Sequence, residues 1–481
     1  MKSLYVLKLI GVIAITAIFA GFNDPWEKHP VKHRKTAEEF VVDTLATGLT
    51  VPWEIIFLPD GTMIFSERNG KVRLYRNKQL LSRPALVIKE TDTTKKMGLL
   101  GMCLHPQFTK NNYLYLSYNY KRENTSFLKI VRYQLVNDTL IHPTPILEDI
   151  RASQNHTGCR LKFGADGKLL ITTGDADRPV LAQDLKSLNG KILRVNDNGS
   201  FPADNPFILN DTARKEIWSY GHRNPQGIDF QPVTNQLFNS EHGPNGGDEI
   251  NIIKKGSNYG WPVIHHQDAK EGMVSPFLEY SPSIGPSQIV FYTANAFPSF
   301  KGNLLVACLR GEKIIRFQIK GNQVISEDNL FEHSYGRIRA LNVGPEGYIY
   351  FSTSQNDPPE GRPRPGYDMI LRLRPSSNRT IIRNAVNSRK EVKAKEVAVK
   401  KTPAVTYTQL CASCHGNNLE GSIRAKSLVD GKWEYGSKRN DIIKSIRDGI
   451  IEKGMPAWEG TITKKETENL ADLILRRTKK K

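Results

Sequence analysis

The sequence predicts an all-β domain, a six-bladed β-propeller, followed by a small all-α domain. Three observations carry this prediction: a turn-and-strand unit that recurs six times between residues 38 and 376, a basic stretch at 377–402, and helix signals over 403–478. At 481 residues the chain exceeds what one ordinary core supports, so more than one domain is expected. With 39% hydrophobic and 24% charged residues its composition is globular rather than disordered.

Residues 1–22 read as an export signal peptide. Lys2 and Lys8 precede an uncharged run from Leu9 to Phe22 that is short for a bilayer span. Ala20 offers a small residue for cleavage and Ile18 an imperfect companion, so an uncleaved N-terminal anchor is the alternative. The segment holds no cysteine for lipid attachment. The recurring unit comes next, with little helical periodicity. Its clearest copies are Phe57-Leu58-Pro59-Asp60-Gly61, Phe163-Gly164-Ala165-Asp166-Gly167 and Val343-Gly344-Pro345-Glu346-Gly347, each running into an apolar strand. Looser copies begin at His105-Pro106, Phe230-Gln231-Pro232 and Phe297-Pro298. Six copies of strand, tight turn and returning strand suit radial repetition into six blades; a pair of β-sandwiches needs no such long period.

Between 377 and 402, Arg379, Arg383, Arg389, Lys390, Lys393, Lys395, Lys400 and Lys401 face only Glu391 and Glu396, as in a solvated linker. Beyond it, Asn440 is placed to cap a helix carrying Ile442, Ile443 and Ile446. Thr463 with Glu466 forms a capping box for a last helix that buries Leu470, Leu473 and Ile474.

Inside this small domain lies Cys411-Ala412-Ser413-Cys414-His415. Two thiols at this spacing can each add to a vinyl group of one haem, and the histidine that follows is then held against the iron. A redox disulfide does not need the adjacent His415, and a zinc site needs a second Cys/His pair that is not nearby. Covalent haem c on Cys411 and Cys414 is the reading, with His415 as one iron ligand. Met455 is the only methionine after the motif and the expected sixth ligand, although a lone methionine elsewhere is more often core filling. With this motif, the helical domain is similar to the small cytochrome c domains appended to many periplasmic dehydrogenases. Cys103, Cys159 and Cys308 are scattered singly, as buried free thiols are.

The formal net charge is +19, but no zinc finger, RNA-binding aromatic pattern or basic recognition helix accompanies it, so nucleic acid is not an expected partner. Several polar clusters interrupt the strand pattern instead. They are Gln154 to Gly158, Gly221 to Gly227 and Glu241 to Glu249, followed by Arg310, Arg337 and Arg339. Loops on one propeller face converge on its axis. A histidine to take a proton, an arginine for growing negative charge and further cations for an anionic cofactor would make an oxidoreductase site there. A single loop histidine, taken alone, is more often a structural residue.

His156-Thr157-Gly158-Cys159-Arg160, Gly221-His222-Arg223-Asn224-Pro225-Gln226-Gly227, His242-Gly243-Pro244 through Asp248-Glu249-Ile250-Asn251, and Asn258-Tyr259-Gly260-Trp261-Pro262 resemble the soluble quinoprotein glucose and aldose sugar dehydrogenases of the glucose/sorbosone dehydrogenase group. That group binds pyrroloquinoline quinone (PQQ) on a six-bladed propeller. The resemblance implies that His156 is the general base and that Arg223 and Asn224 contact the quinone oxygens. It implies that the backbone carbonyls of Gly243 and Pro244 ligate calcium, and that Arg337 and Arg339 hold PQQ carboxylates. Arg310 stands where a lysine is usual, which keeps the charge and alters the geometry. Glu249 and Tyr259 fall near a second calcium site of the family.

Three positions depart from the family pattern. Lys96 stands where a glutamine commonly touches the cofactor, Ser281 where one branch has a tryptophan, and Asn155 where an acid precedes the base. A neutral Asn155 is expected to orient His156 as a weaker base. The resulting expectation is an exported periplasmic or secreted sugar dehydrogenase. It would pass electrons from PQQ through its haem to a soluble cytochrome, a copper protein or the respiratory chain, touching a membrane only if the signal is retained. The alternatives are a sorbosone-type dehydrogenase, and a propeller without catalysis that serves as a carbohydrate-binding or electron-transfer scaffold.

Overall fold

The computed structural model describes residues 32–33, 40–244, 246–355 and 368–376, and in the C-terminal part 403–411, 415–416, 418–421, 426–429, 433–450, 455, 458 and 463–478. The expected signal segment at 1–22, the linker at 377–402 and Cys414 lie outside the described residues. No described helix is long and apolar enough to cross a membrane.

Strands from Phe40 to Pro375 form six antiparallel sheets. Their first strands are Pro52–Phe57, Leu99–Leu104, Leu161–Phe163, Pro225–Phe230, Pro286–Phe291 and Ile338–Val343. Each first strand touches the next, and the sixth touches the first, so the sheets close into a ring. All six recurring turns join the first and second strands of a blade, at one end of the ring. In the three clear copies the last glycine, Gly61, Gly167 or Gly347, sits at φ +85°, +72° or +81°. A side chain is disfavoured at such angles, which is why Gly recurs there and makes the repeat visible.

Closure comes from the N-terminal side. Phe40–Ala46 pairs antiparallel with Ile370–Pro375 and so completes the sixth blade. Asp43 on that strand accepts from Arg372 Nη2 and Arg374 Nε, each at 2.8 Å. Burial by itself would raise the Asp43 carboxyl, but these two arginines hold it below the usual carboxylate range. Lys32–His33 adds a parallel strand to the outer edge of the fifth blade.

Five of the six first strands slip register against their second strand. A bulge turns the skipped residues out of the ladder. Here they include Trp53, Gln226, Gln288 and Arg339, and these gather at the axis around Arg160. Arg160 is 1% exposed. Its Nη1 donates to Glu54 Oε2 at 2.5 Å and to Gln288 Oε1 at 3.1 Å, and its Nε to the Gln226 carbonyl at 3.0 Å. Its guanidinium lies 4.0 Å from the centre of the Trp53 ring. The Gln288 Oε1 also accepts from Leu341 N at 3.0 Å. One cation thus ties blades one, three, four, five and six.

In the small domain, the helix Lys464–Thr478 packs against both Pro403–Leu410 and Arg439–Asp448. Thr463 and Glu466 make the expected capping box, with Thr463 N donating to Glu466 Oε2 at 2.8 Å and Glu466 N to Thr463 Oγ1 at 3.2 Å. Asn440 is not a cap. The helix begins at Arg439, and Asp441 reaches back to Lys438 N at 3.1 Å, because an acid three residues on satisfies that free N–H. Cys103, Cys159 and Cys308 are buried and unpaired, and burial pushes the Cys159 thiol up to about 12.

Glu54→Gln should cost about 3–5 kcal/mol of propeller stability, because it leaves a buried guanidinium uncompensated. Urea unfolding followed by propeller tryptophan fluorescence should show the lowered midpoint. Replacing both partners, Glu54→Leu with Arg160→Met, should recover much of it, and an unchanged midpoint in Glu54→Gln would remove the axial pair from the account.

Candidate active site

The segments that enter a first strand, and those that join second to third strands, emerge opposite the recurring turns. Lys96, His156, Arg223 and Asn224, and Arg337 lie on connections into the first strands of blades two, three, four and six. Gly243, Pro244 and Arg310 lie between the second and third strands of blades four and five. All nine predicted residues of this group are therefore on one end of the ring or, like Arg339, just inside it.

His242 measures how closely they converge. Burial first, and then the positive charge of Lys96, Arg223 and Arg339 around it, pushes its imidazole well below the usual histidine range. The ring is neutral at pH 7. Arg223 Nη1 donates to the His242 carbonyl at 3.1 Å and Arg223 N to Glu241 Oε1. Glu241 also takes His222 Nδ1 at 2.9 Å, and the His222 ring stacks 4.8 Å from Tyr259. Gly-His-Arg-Asn is thus clamped by Glu241 and Tyr259, with the Arg223 side chain between the His242 carbonyl and the Trp261 ring. Asn224 Oδ1 accepts from Gln226 Nε2 at 3.0 Å and from Gly158 N at 3.3 Å, locking this loop to that of His156.

His156 has a carboxylate partner. Its Nδ1 lies 2.8 Å from Asp175 Oδ1, and Asp175 is fully buried. The expectation that neutral Asn155 would orient the ring is corrected: Asn155 points its amide at Asp177 Oδ2, 3.2 Å away, and leaves the imidazole to Asp175. Adjacency in sequence misled here because the His156 backbone passes directly over Gly174, where an added Cβ would meet the His156 carbonyl at 2.3 Å. That close approach brings in the acid nineteen residues away. The other Asp175 oxygen accepts from Trp261 Nε1 at 2.8 Å, and Arg223 lies over the Trp261 ring at 5.3 Å. Asp175 and Trp261 are the site residues that sequence reasoning missed. The signal was an acid ending an apolar strand, at Thr172-Thr173-Gly174-Asp175.

The remaining predicted residues divide. Arg339 is buried with Nε on Ser354 Oγ at 3.3 Å, Arg337 Nη1 reaches the Leu309 carbonyl at 3.5 Å, and Arg310 is exposed. Gly243 N donates to Asp248 Oδ1 at 2.9 Å, and Ser283 Oγ and Gly285 N donate to Asp248 Oδ2 at 2.6 and 2.7 Å. Ser281 Oγ accepts from Gly247 N at 2.8 Å and so shapes the same loop. The Tyr259 hydroxyl is committed to the Ile252 carbonyl at 2.6 Å, so any part it takes in a cation site falls to its backbone. Burial and then Glu241 raise the Glu249 carboxyl well above its usual range, and Asn251 Nδ2 donates to it at 2.9 Å.

These residues fit a planar anionic group. Arg223 Nε and His242 Nε2 are buried polar atoms without a partner among the described residues, set amid positive charge. No three His, Cys, Asp or Glu among the described residues form a metal cluster, so a cation here would rest on backbone carbonyls and the group itself. In the helical domain, Cys411, Met455 and Trp458 pack on one apolar cluster with Tyr407, Ile442 and Leu470. Met455 is fixed by paired backbone bonds with Ile450 at 2.9 and 3.1 Å. Burial lowers the His415 imidazole below the usual range, as suits a neutral iron ligand. The described part of this domain fits a haem.

A model of the glucose/sorbosone dehydrogenase family matches residues 49–360, and one described as cytochrome c oxidase, cbb3-type, subunit III, matches residues 398–474. The aldose sugar dehydrogenase of Escherichia coli is 34% identical over 334 residues, covering 66% of this chain and 90% of that protein. Quinoprotein glucose dehydrogenase B of Acinetobacter calcoaceticus is 33% identical over 288 residues, covering 54% of this chain and 59% of that one. The PQQ-bound aldose sugar dehydrogenase of Streptomyces coelicolor superposes with a TM-score of 0.61 at 30% identity, covering 70% of this chain and 98% of that structure. Taken with the closed ring of blades and the cationic axial site, these matches make the chain a member of the glucose/sorbosone dehydrogenase family, a sugar-oxidising oxidoreductase of the PQQ-dependent class with a cytochrome c domain at its C-terminal end.

Proposed function

We propose that this protein oxidises an aldose or related polyol with PQQ and passes the electrons through its own haem c to an external acceptor. The observation that carries the reading is the His156–Asp175 pair set beside the cationic centre of Lys96, Arg223 and Arg339. With Asp175 accepting from Nδ1–H, the His156 Nε2 lone pair is the free acceptor, the arrangement a general base requires. His156 then takes the hydroxyl proton of the substrate. PQQ, when bound, supplies the acceptor for the two electrons that leave the substrate carbon with its hydrogen. Arg223 offsets negative charge at the quinone oxygens, where a preorganised donor contributes most. Arg310, Arg337, Arg339 and Lys96 bind the cofactor carboxylates, Asn224 braces the Arg223 loop, and the carbonyls of Gly243 and Pro244 are the calcium ligands. Glu249 and the Tyr259 backbone are candidates for a second calcium.

Cys411 and Cys414 tether the haem, and His415 and Met455 ligate its iron. A haem carries one electron at a time, so each sugar oxidised calls for two transfers. A soluble cytochrome, a copper protein or the respiratory chain would take them up. Haem attachment and the signal-like N-terminus support an exported, periplasmic or secreted location.

Haem absorbance tests this directly: with PQQ and calcium added, an aldose should reduce the haem of the purified protein, and omission of PQQ should abolish reduction. His156→Ala should stop it while PQQ still binds. If PQQ does not bind, the enzyme reading falls and a haem-carrying binding propeller remains. Asp175→Asn should slow turnover about a hundredfold or more by upsetting the His156 tautomer. Trp261→Phe, which removes one donor to Asp175, should cost about tenfold. Equal activity in Asp175→Asn and wild type would refute the assigned base.

A further inference from the structure

Two carboxylates face His156, and only one is needed to hold it. Asp175, fully buried, makes the 2.8 Å contact with Nδ1. Asp177 Oδ1 lies 3.3 Å from the same nitrogen, and its side chain is 38% exposed. The backbone presents it at some cost: Ala176 and Asp177 are consecutive left-handed residues at φ +54° and +55°, a conformation that non-glycine residues avoid. Two bonds from the backbone hold the turn, Ala176 N to the His156 carbonyl at 3.0 Å and Asp177 N to Asp175 Oδ1 at 2.9 Å. A third fixes the carboxylate itself, which accepts from Asn155 Nδ2 at 3.2 Å. Asn155 is exposed, and its side-chain amide acts as a clamp for Asp177.

A carboxylate offers about four lone-pair sites. Asn155 engages one of them, the His156 Nδ1–H being taken by Asp175, and the exposed remainder is left for solvent beside the base. We propose that Asp177 is a specificity residue: it accepts a hydrogen bond from a substrate hydroxyl next to the one His156 deprotonates, so the site favours neutral vicinal-diol sugars over sugar acids. This rests on the reading that a sugar is oxidised at His156. The arrangement separates two tasks that one acid could not do together, since the carboxylate that orients the base is sealed away from substrate and the one that meets substrate does not have to orient the base. Anionic sugars meet the Asp177 charge at the mouth, while the cations deeper in the site serve the cofactor.

The test compares wild type, Asp177→Asn and Asn155→Ala by haem-reduction kinetics with glucose and glucuronate. It adds saturation-transfer NMR of both sugars with the unloaded protein, which does not depend on turnover. Asp177→Asn should raise KM for glucose about tenfold, with the loss falling on KM rather than kcat, and bring the glucose-to-glucuronate preference toward one. Asn155→Ala should move both quantities in the same direction by a smaller factor. Unchanged KM and preference in Asp177→Asn, or a loss confined to kcat, would overturn the proposal while the dehydrogenase chemistry stood. If no sugar reduces the haem but glucose binding is lost in Asp177→Asn, the oxidation reading fails and the Asp177 site remains. If neither sugar is reduced or bound, both fall.

Discussion

The interaction on which the rest depends is the buried contact of Arg160 with Glu54. A guanidinium taken out of water is costly, and the cost is offset to the extent that its donors find partners. The ring offsets much of it by slipping the register of its first strands, so that Gln226 and Gln288 join Glu54 around Arg160 Nε and Nη1, while Nη2 has no partner among the described residues. The same residue ends the stretch that begins with His156. Arg160 therefore ties the closure of the blades to the position of His156, the proposed base, four residues away on the same strand entry. Trp53 links this layer to the next, lying under Arg160 at 4.0 Å and under Arg339 at 5.7 Å.

Above that layer the site is electrostatically divided. Burial, and after it the positive charge of Lys96, Arg223 and Arg339, pushes His242 well below the usual histidine range, whereas His156 sits between two carboxylates. In the proposed function an anionic cofactor and a neutral substrate would find separate ground within one mouth. Trp261 joins the two regions, giving its N–H to Asp175 and its ring face to Arg223.

Much of this was legible in the chain. Three of the six turns announced their blades because the left-handed residue after an acid is glycine there, so the geometry leaves a mark in the letters; the looser copies left only a proline, with Asn112 and Asn235 as the left-handed residues of two of them. The loops carrying His156 and Arg223, and Arg339 at the start of its strand, were legible as polar interruptions of apolar strands. What escaped depended on contacts between segments distant in sequence. Asp175 was hidden because nothing near His156 points to it, and Asn155 was misread because the nearest residue in sequence is not the nearest in space. The closing strand Phe40–Ala46 has no signature of its own; it is defined by pairing with Ile370–Pro375. Asn440 was a fair cap by residue type, but Asp441 could satisfy the Lys438 N–H and won the position.

Joining a cytochrome c domain to a quinoprotein propeller in one chain has a kinetic meaning: a tethered acceptor acts at a fixed effective concentration, whatever the protein concentration. The most direct measurement is stopped-flow haem reduction after mixing PQQ-loaded protein with sugar, repeated over about a hundredfold range of protein concentration. A first-order rate constant that does not change across the range is the predicted result, as befits transfer within one molecule. A rate that rises in proportion to protein concentration would contradict it, since each propeller would then be reducing the haem of another molecule.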